Sequence, residues 1–497
     1  MKVAELRLFN NKYSILLIYT IVTSILYYKA FYVGLLSDDY SFFLGVEMNS
    51  WSSILNNFND SFVLILTHIF QLLIYKSVGI SLFTFHAIQI LLHILIAWNI
   101  FLLLKLINLK YSNKTNLYFA FFSGLFFLII PYQTESVIWL ASIGYGFSLL
   151  FGVIAIRCYY SNLYILSYIS ILCSIFCKEM GYTIPLAIIV IDWYLYNLKS
   201  NRKHIIYLLL VIIFSLIIRY IFLIDFVGGY GRNVHLNLSF IYNLEHFLAY
   251  IYKYSTYSRF FEYSIISSFL FCFSMLLCVK FFIALYEDIL NFRILLLCLF
   301  LFIISLLPVL NLEITSIYNI SSDRYSYFCS VIVSISISYI ISLWKFKMRS
   351  IFIVSIVIFF ISLTFIDVKK WGLGTELCNN YLSELEKLDL DNKKVLLLNV
   401  PDNIQGVYVL RNGVDEYLKM KNITCNLDIF IHQQFITLNS GLYVIKDSLI
   451  SNNASNLYID YNNDLYGIDN FNIKDKDLLY FDMVYYYNNK KFYKYYD

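Results

Sequence analysis

The sequence predicts a polytopic α-helical membrane protein with a small extracytoplasmic α+β domain at its C-terminal end. Apolar residues make up 60% of the 497 and charged residues only 14%, and the mean hydropathy is +0.68, a balance foreign to soluble domains. Apolar runs of helix-spanning length recur along the chain, about 15–25 residues each, enough to cross roughly 30 Å of hydrocarbon at 1.5 Å per residue. After Ile366 the long runs stop, and the remainder carries 14 of the 37 Lys and Arg residues.

Eleven runs read as spans: Ser14 to Leu36, Leu82 to Leu106, Leu117 to Ile130, Ser136 to Ile156, Leu163 to Phe176, Thr183 to Leu198, Ile205 to Ile224, Tyr263 to Val279, Ile294 to Leu312, Ser326 to Trp344 and Ile351 to Ile366. The odd number puts the termini on opposite sides. With the N-terminus inside, the inner segments carry fifteen Lys/Arg and the outer loops between spans only six, the bias expected of cytoplasmic loops. The first run is too long for a cleavable signal and lacks a small-residue cleavage site. Lys76, Lys178, Arg232, Lys253, Arg259 and Arg324 are then cations on the outer side, where an anionic ligand would account for them.

Two outer segments are long. Within residues 37–81, Ser61 to Val78 is apolar but holds His68, Gln71 and Lys76, so it reads as a helix lying in the interface. Asp225 to Glu262 opens on Gly228-Gly229-Tyr230-Gly231-Arg232, a turn and not a phosphate loop, since no Lys-Ser/Thr and no strand accompany it. Its Tyr-rich remainder reads as a second interfacial helix. The net charge of +4 gives nucleic-acid binding nothing to rest on. Seven of the nine cysteines lie in or beside apolar runs and read as small hydrophobes; Cys378 and Cys425 are the pair that could form a disulfide.

Residues 1–367 form the membrane part and 368–497 the outer domain. In the latter, Glu376 to Leu388 has helical spacing. Lys394 to Asn399, Leu427 to His432, Gly441 to Ile445, Asn456 to Tyr461 and Leu478 to Tyr487 read as strands.

The candidate chemistry lies at the ends of spans. Leu35-Leu36-Ser37-Asp38-Asp39-Tyr40 places two carboxylates where the first span stops. They can deprotonate an acceptor hydroxyl, bind a divalent cation, or cap the next helix. Pro131 to Trp139 forms an outer hairpin carrying Glu135, which is either a site residue or a helix-start residue. In Cys177-Lys178-Glu179-Met180-Gly181 the Lys and Glu either pair with each other or set the Lys on a phosphate. In Ser322-Asp323-Arg324-Tyr325-Ser326-Tyr327, Arg324 is the best phosphate candidate because its fork holds two oxygens; the competing reading is a salt bridge to Asp323 or Asp38. His86 and His93, seven apart on one helix face, point to packing or interhelical hydrogen bonding. No His/Cys group has metal-ligand spacing.

In their order, these pieces resemble the GT-C superfamily of membrane glycosyltransferases. The resemblance is closest to the O-mannosyltransferases whose eukaryotic members carry tetratricopeptide repeats, and to their bacterial relatives. It rests on Asp38-Asp39 and on Phe85-His86 with Leu91-Leu92-His93. Glu135 to Trp139 after Pro131, Lys178-Glu179-Met180 with Pro185 and Asp192, and Asp323 to Tyr327 complete it. It implies an inverting transferase using a polyprenyl-monophosphate sugar, with Asp38 as base beside Asp39, Arg324 and Lys178 on the donor phosphate, and Glu135, Glu179, His93 and Tyr325 in support. It implies no nucleotide cofactor, and it leaves open a divalent cation and whether the acceptor is glycan, lipid or protein. Asn59-Asp60-Ser61-Phe62 stands where the family usually has Arg-Pro, and the repeat array is absent, so neither that loop's contacts nor a protein acceptor carries over.

The physical logic runs the same way: a polyprenyl tail partitions into the bilayer, so base and cations must sit at its surface. Rival classes are an O-antigen-type polymerase or ligase, favoured by Arg232, His235, His246 and Arg259 in one loop, and a lipid-linked-glycan transporter, which would show paired broken helices. The Asn/Ile/Tyr/Lys bias resembles that of an AT-rich bacterial genome, and the expected location is a bacterial cytoplasmic membrane. In a cysteine-free variant, single cysteines at Ser50 and Asn452 should react with an impermeant thiol reagent from outside and one at Asn201 should not. Outside labelling at Asn201 would overturn the eleven-span topology.

Overall fold

The computed structural model describes residues 11–48, 64–111, 117–196, 202–223, 240–256, 260, 289–310, 320–343, 349–432, 450–461, 464–473, 482–488 and 490–494. The chain divides into two compact units. The first holds Met1–Phe31, Asn49–Tyr318 and Ser322–Asp367; the second holds Tyr32–Met48, Asn319–Ser321 and Val368–Asp497.

The helices are α1 Lys12–Tyr27, α2 Asp38–Met48, α3 Ile65–Val78, α4 Leu82–Tyr111, α5 Leu117–Ile129, α6 Thr134–Ile138, α7 Ile143–Tyr160, α8 Tyr164–Cys177, α9 Thr183–Tyr196, α10 Arg202–Leu223, α11 Phe240–Thr256, α12 Ile289–Leu306, α13 Tyr327–Ser342, α14 Arg349–Leu385 and α15 Val414–Met420. Six helical stretches among the described residues are long and apolar enough to cross a membrane: Lys12–Tyr32, Leu82–Ile107, Leu140–Tyr160, Arg202–Phe222, Asp323–Ser342 and Ser350–Leu385. On α10 the exposed residues include Ile206, Leu210, Ile213, Phe214, Ile217 and Ile221. Such a face is untenable in water and ordinary against lipid, which fits a helical membrane protein. The predicted span Tyr263 to Val279 lies outside the described residues. The predicted interfacial segments contain α3 and α11.

Helices in the first unit meet through small and hydroxyl residues, as expected where the surroundings are as apolar as the side chains. At Gly124 a Cβ would run into the Tyr19 hydroxyl of α1 and stand 2.8 Å from the Ala97 carbonyl, so α4 and α5 cross at backbone distance with the Tyr19 side chain filling the space beside them. There Tyr19 donates to the Phe121 carbonyl at 2.6 Å. The α7–α8 hairpin is fastened by Ser148 donating to the Ser174 carbonyl at 2.8 Å and Ser174 to the Ser148 carbonyl at 2.7 Å. Ser167 closes its far end on the Ala155 carbonyl at 2.9 Å. This rigid hairpin sets the start of α7 beside the end of α8.

Sequence reasoning ended a span at Ile366 and began a new helix at Glu376. The structure instead has one 37-residue helix, α14. The charges at Asp367, Lys369 and Lys370 end an apolar run without interrupting backbone hydrogen bonds, and no proline intervenes. The division between units falls within α14.

In the second unit the strands are β1 Lys394–Pro401, β2 Asn403–Ile404, β3 Val407–Tyr408, β4 Asn426–His432, β5 Ile450–Tyr461, β6 Asp464–Ile473, β7 Met483–Asn488 and β8 Lys491–Lys494. Four form a sheet in the order β4-β1-β7-β8; β5 with β6 and β2 with β3 form separate pairs. β1 runs parallel to both neighbours, and Val395, Leu396, Leu397 and Val400 are fully buried, the continuous apolar run of a strand covered on both faces. Tyr381 of α14 packs against Tyr487 and Phe492, with ring centroids 4.8 and 4.9 Å apart. Predicted strand Gly441 to Ile445 lies outside the described residues. Cys378 and Cys425 are both free: Cys378 is buried against the Tyr40 hydroxyl at 3.5 Å, so the two do not pair.

The tight turn after α8 depends on a missing side chain. A Cβ on Gly181 would lie 2.5 Å from the Ile175 nitrogen and the Ser174 carbonyl carbon, whereas one on Gly372 meets nothing within 4 Å. Gly181→Ala should lower stability by about 1–3 kcal/mol, and Gly372→Ala should raise it by about 0.5–1 kcal/mol. Thermal unfolding of both variants in detergent checks the opposite signs.

Candidate functional site

In the first unit the chain re-enters the core between α5 and α7. Residues 130–140, the predicted outer hairpin that carries Glu135, are all buried. The segment is held by Gln133 donating to Ser330 Oγ at 2.7 Å, Gln89 to the Trp139 carbonyl at 2.7 Å, and Ser142 to the Glu135 carbonyl at 2.8 Å. Glu135 is 1% exposed. One carboxylate oxygen accepts the Arg324 backbone N–H at 2.6 Å, and the other accepts the Arg324 guanidinium. Arg324 therefore pairs with Glu135, where sequence reasoning had weighed Asp323 and Asp38. Burial pushes the Glu135 carboxyl up, against the Arg324 guanidinium and N–H that pull it down.

Arg324 is further fixed by the Tyr325 hydroxyl at 3.1 Å and lies over the rings of Trp139 and Tyr325, 5.0 and 4.6 Å from their centroids. Its neighbour Asp323 is buried with Lys253 of α11, Nζ to Oδ1 2.5 Å. Lys253 in turn stands 5.1 Å from the Tyr132 ring centroid, and Tyr254 donates to the Ser326 carbonyl at 3.0 Å. Ser322, just before this turn, has φ +77°.

A second charged group is joined to the first through two rings. Lys178 sits 5.1 Å over Tyr145, and Tyr145 packs edge-on to Tyr325 at 6.4 Å. The α7–α8 hairpin makes this possible, because Tyr145 opens α7 and Lys178 closes α8. Glu179 lies between Lys178 at 3.4 Å and Arg219 of α10 at 3.6 Å. Burial pushes Glu179 up, but these two cations outweigh it and hold its carboxyl below the ordinary value. One carboxylate is thus shared by two cations.

Asp38 and Asp39 belong to the second unit and open α2. Asp39 is 1% exposed, and its Oδ2 accepts the Leu36 N–H at 3.0 Å, much as a capping side chain reaches back over a helix start. Asp38 is half-buried, and its Oδ1 accepts from Asn412 Nδ2 at 2.6 Å. Among the described residues its second oxygen has no hydrogen bond.

The fold thus gathers Glu135, Arg324, Tyr325, Lys178 and Glu179 in the first unit. His93 is not with them: it is fully buried, bridging Tyr327 Oη at 2.9 Å and the Leu128 carbonyl at 3.4 Å, which is interhelical packing. Asp192 is held by Tyr159 and Tyr160 hydroxyls at 2.6 and 3.1 Å, roughly 14 Å along α9 from its start. Sequence reasoning gave no site role to Arg219 or Tyr145, and placed Lys253 only among the outer cations that an anionic ligand would account for. A cation inside a span, as Arg219 is, marks function by default and was the one available signal. Among the described residues no three His, Cys, Asp or Glu side chains converge as metal ligands.

Removing one partner of a buried ion pair strands the other. Arg324→Ala should cost about 3–5 kcal/mol in stability, and Arg324→Ala/Glu135→Gln should recover much of that loss. Thermal unfolding of the two single variants and the double variant checks this; additive losses would mean that the pair is not coupled. In comparisons with known proteins, no protein-family model and no curated protein sequence matches this chain.

Proposed function

We propose that the protein is an inverting glycosyltransferase of GT-C type, moving a sugar from a polyprenyl monophosphate to an acceptor hydroxyl at the outer face of a bacterial cytoplasmic membrane. In this reading eleven spans place the N-terminus inside and the C-terminal α+β domain outside. The observation that carries it is the charged cluster of the first unit. Among the described residues it sets four cations, Arg324, Lys253, Lys178 and Arg219, against three carboxylates, Glu135, Asp323 and Glu179.

Positive charge in excess, partly shielded from water, suits an anion whose charge grows during reaction. A polyprenyl phosphodiester does this. The acceptor oxygen attacks the anomeric carbon while its proton passes to a carboxylate. The bond from that carbon to the phosphate oxygen breaks, and the leaving polyprenyl phosphate keeps the electron pair and becomes a dianion. Lys178 and Arg219 are assigned to the phosphate because they flank one carboxylate, Glu179, and so stand close to each other. Arg324 is assigned to it through its exposed edge, with Glu135 holding the fork in place. No nucleotide takes part in this reading.

Of the two aspartates, Asp38 is assigned the proton. Asp39 is buried and already committed to the Leu36 N–H, whereas Asp38 keeps one oxygen open. Asp38→Asn preserves shape and cannot accept a proton, so transfer should fall by about 10² or more with donor binding and thermal stability retained. Release of polyprenyl phosphate from a radiolabelled polyprenyl-phosphate sugar, measured with purified enzyme in lipid, reports it. Full activity in Asp38→Asn would sink this mechanism, and no release by wild-type protein would favour a transporter.

A further inference from the structure

We infer that residues 409–413 of the second unit form the clamp that positions Asp38, with Asn412 the positioning residue for the base; this rests on the glycosyltransferase reading above. Ser37 precedes Asp38 in a left-handed conformation, φ +49°, which a non-glycine residue holds only when its surroundings impose it. The surroundings here are one short stretch of chain, more than 370 residues later in sequence. The Ser37 N–H donates to the Val409 carbonyl at 2.7 Å. The Ser37 hydroxyl accepts the Asn412 N–H at 3.3 Å. Gly413, itself at φ +103°, comes so close that a Cβ there would lie 2.5 Å from the Ser37 carbonyl oxygen.

Onto this backbone clamp Asn412 adds its side chain. Its amide holds Asp38 Oδ1 at 2.6 Å, fixing the plane of the carboxylate and turning the other oxygen toward what approaches it. The stretch is anchored in turn: Val409 N–H donates to the Asp402 carbonyl at 2.8 Å and Leu410 N–H to the Pro401 carbonyl at 3.0 Å, tying it to the end of β1. A hydrogen-bond donor on one oxygen orients the carboxylate, which a base needs. The C-terminal unit would thereby be part of the reaction apparatus and not an accessory.

The test is a double-mutant cycle in the full-length protein in lipid. Asn412 is exposed, so Asn412→Ala should fold with an unchanged thermal midpoint. Its turnover should fall on the order of 10-fold at unchanged KM for the polyprenyl-phosphate sugar, and it should add no further loss in the Asp38→Asn background, because it acts only through Asp38. Asn412→Asp, of the same shape but facing Asp38 with an acceptor, should lose at least as much. Wild-type turnover in either Asn412 variant, or a loss equal in both backgrounds, would overturn the clamp while leaving the base assignment intact. Full activity of Asp38→Asn alone would overturn both.

Discussion

A carboxylate cannot stay charged inside an apolar helix bundle unless a cation and hydrogen bonds replace water, and the Glu135–Arg324 pair is where this protein meets that demand. An isolated buried ion is costly by many kcal/mol. Here one carboxylate oxygen takes a backbone N–H and the other a guanidinium, so two segments far apart in sequence must arrive together. Residues 130–142 have to fold back into the core, and the Asp323–Ser326 turn has to present both its backbone and its side chain. The hydrogen bonds from Gln89, Gln133 and Ser142 serve that first requirement. The left-handed Ser322 and the Lys253–Asp323 pair serve the second.

Helices in an apolar surrounding gain little from burying more apolar surface, so their relative positions depend on close contacts and buried polar bonds. Gly124 and the reciprocal serines of α7 and α8 provide those contacts. The same hairpin that the serines close also sets Tyr145 under Lys178, and Tyr145 then meets Tyr325. The aromatic rings matter electrostatically: a cation over a ring face keeps its charge without being neutralised by an acid. Lys178 and Arg324 are thus held by ring faces as well as by their carboxylate partners Glu179 and Glu135.

Much of this layout was legible from the residues. Apolar runs marked most helix positions because period and length are local properties, and β1 and β4 showed in their branched and apolar runs. The continuity of α14 was not legible, since polarity ends a membrane segment without ending a helix. Ion-pair partners were not legible either. Arg324 and Glu135 lie 189 residues apart, and proximity in sequence favoured Asp323, which the fold gives to Lys253. Tyr145 could not stand out among 46 tyrosines; only the hairpin distinguishes it.

Ser37 and Ser322 are both left-handed and both immediately precede an acidic residue of the candidate chemistry. Glycine would adopt that φ without steric cost, so conformational ease does not explain serine. At Ser37 the hydroxyl supplies the reason, because it accepts the Asn412 N–H. A glycine there would remove the strain and the fastening together, leaving the segment before Asp38 free to sample other directions. The strain, of about 1–3 kcal/mol, is therefore the counterpart of a fixed direction: the backbone is held where it would not rest alone, and the carboxylate that follows inherits that orientation.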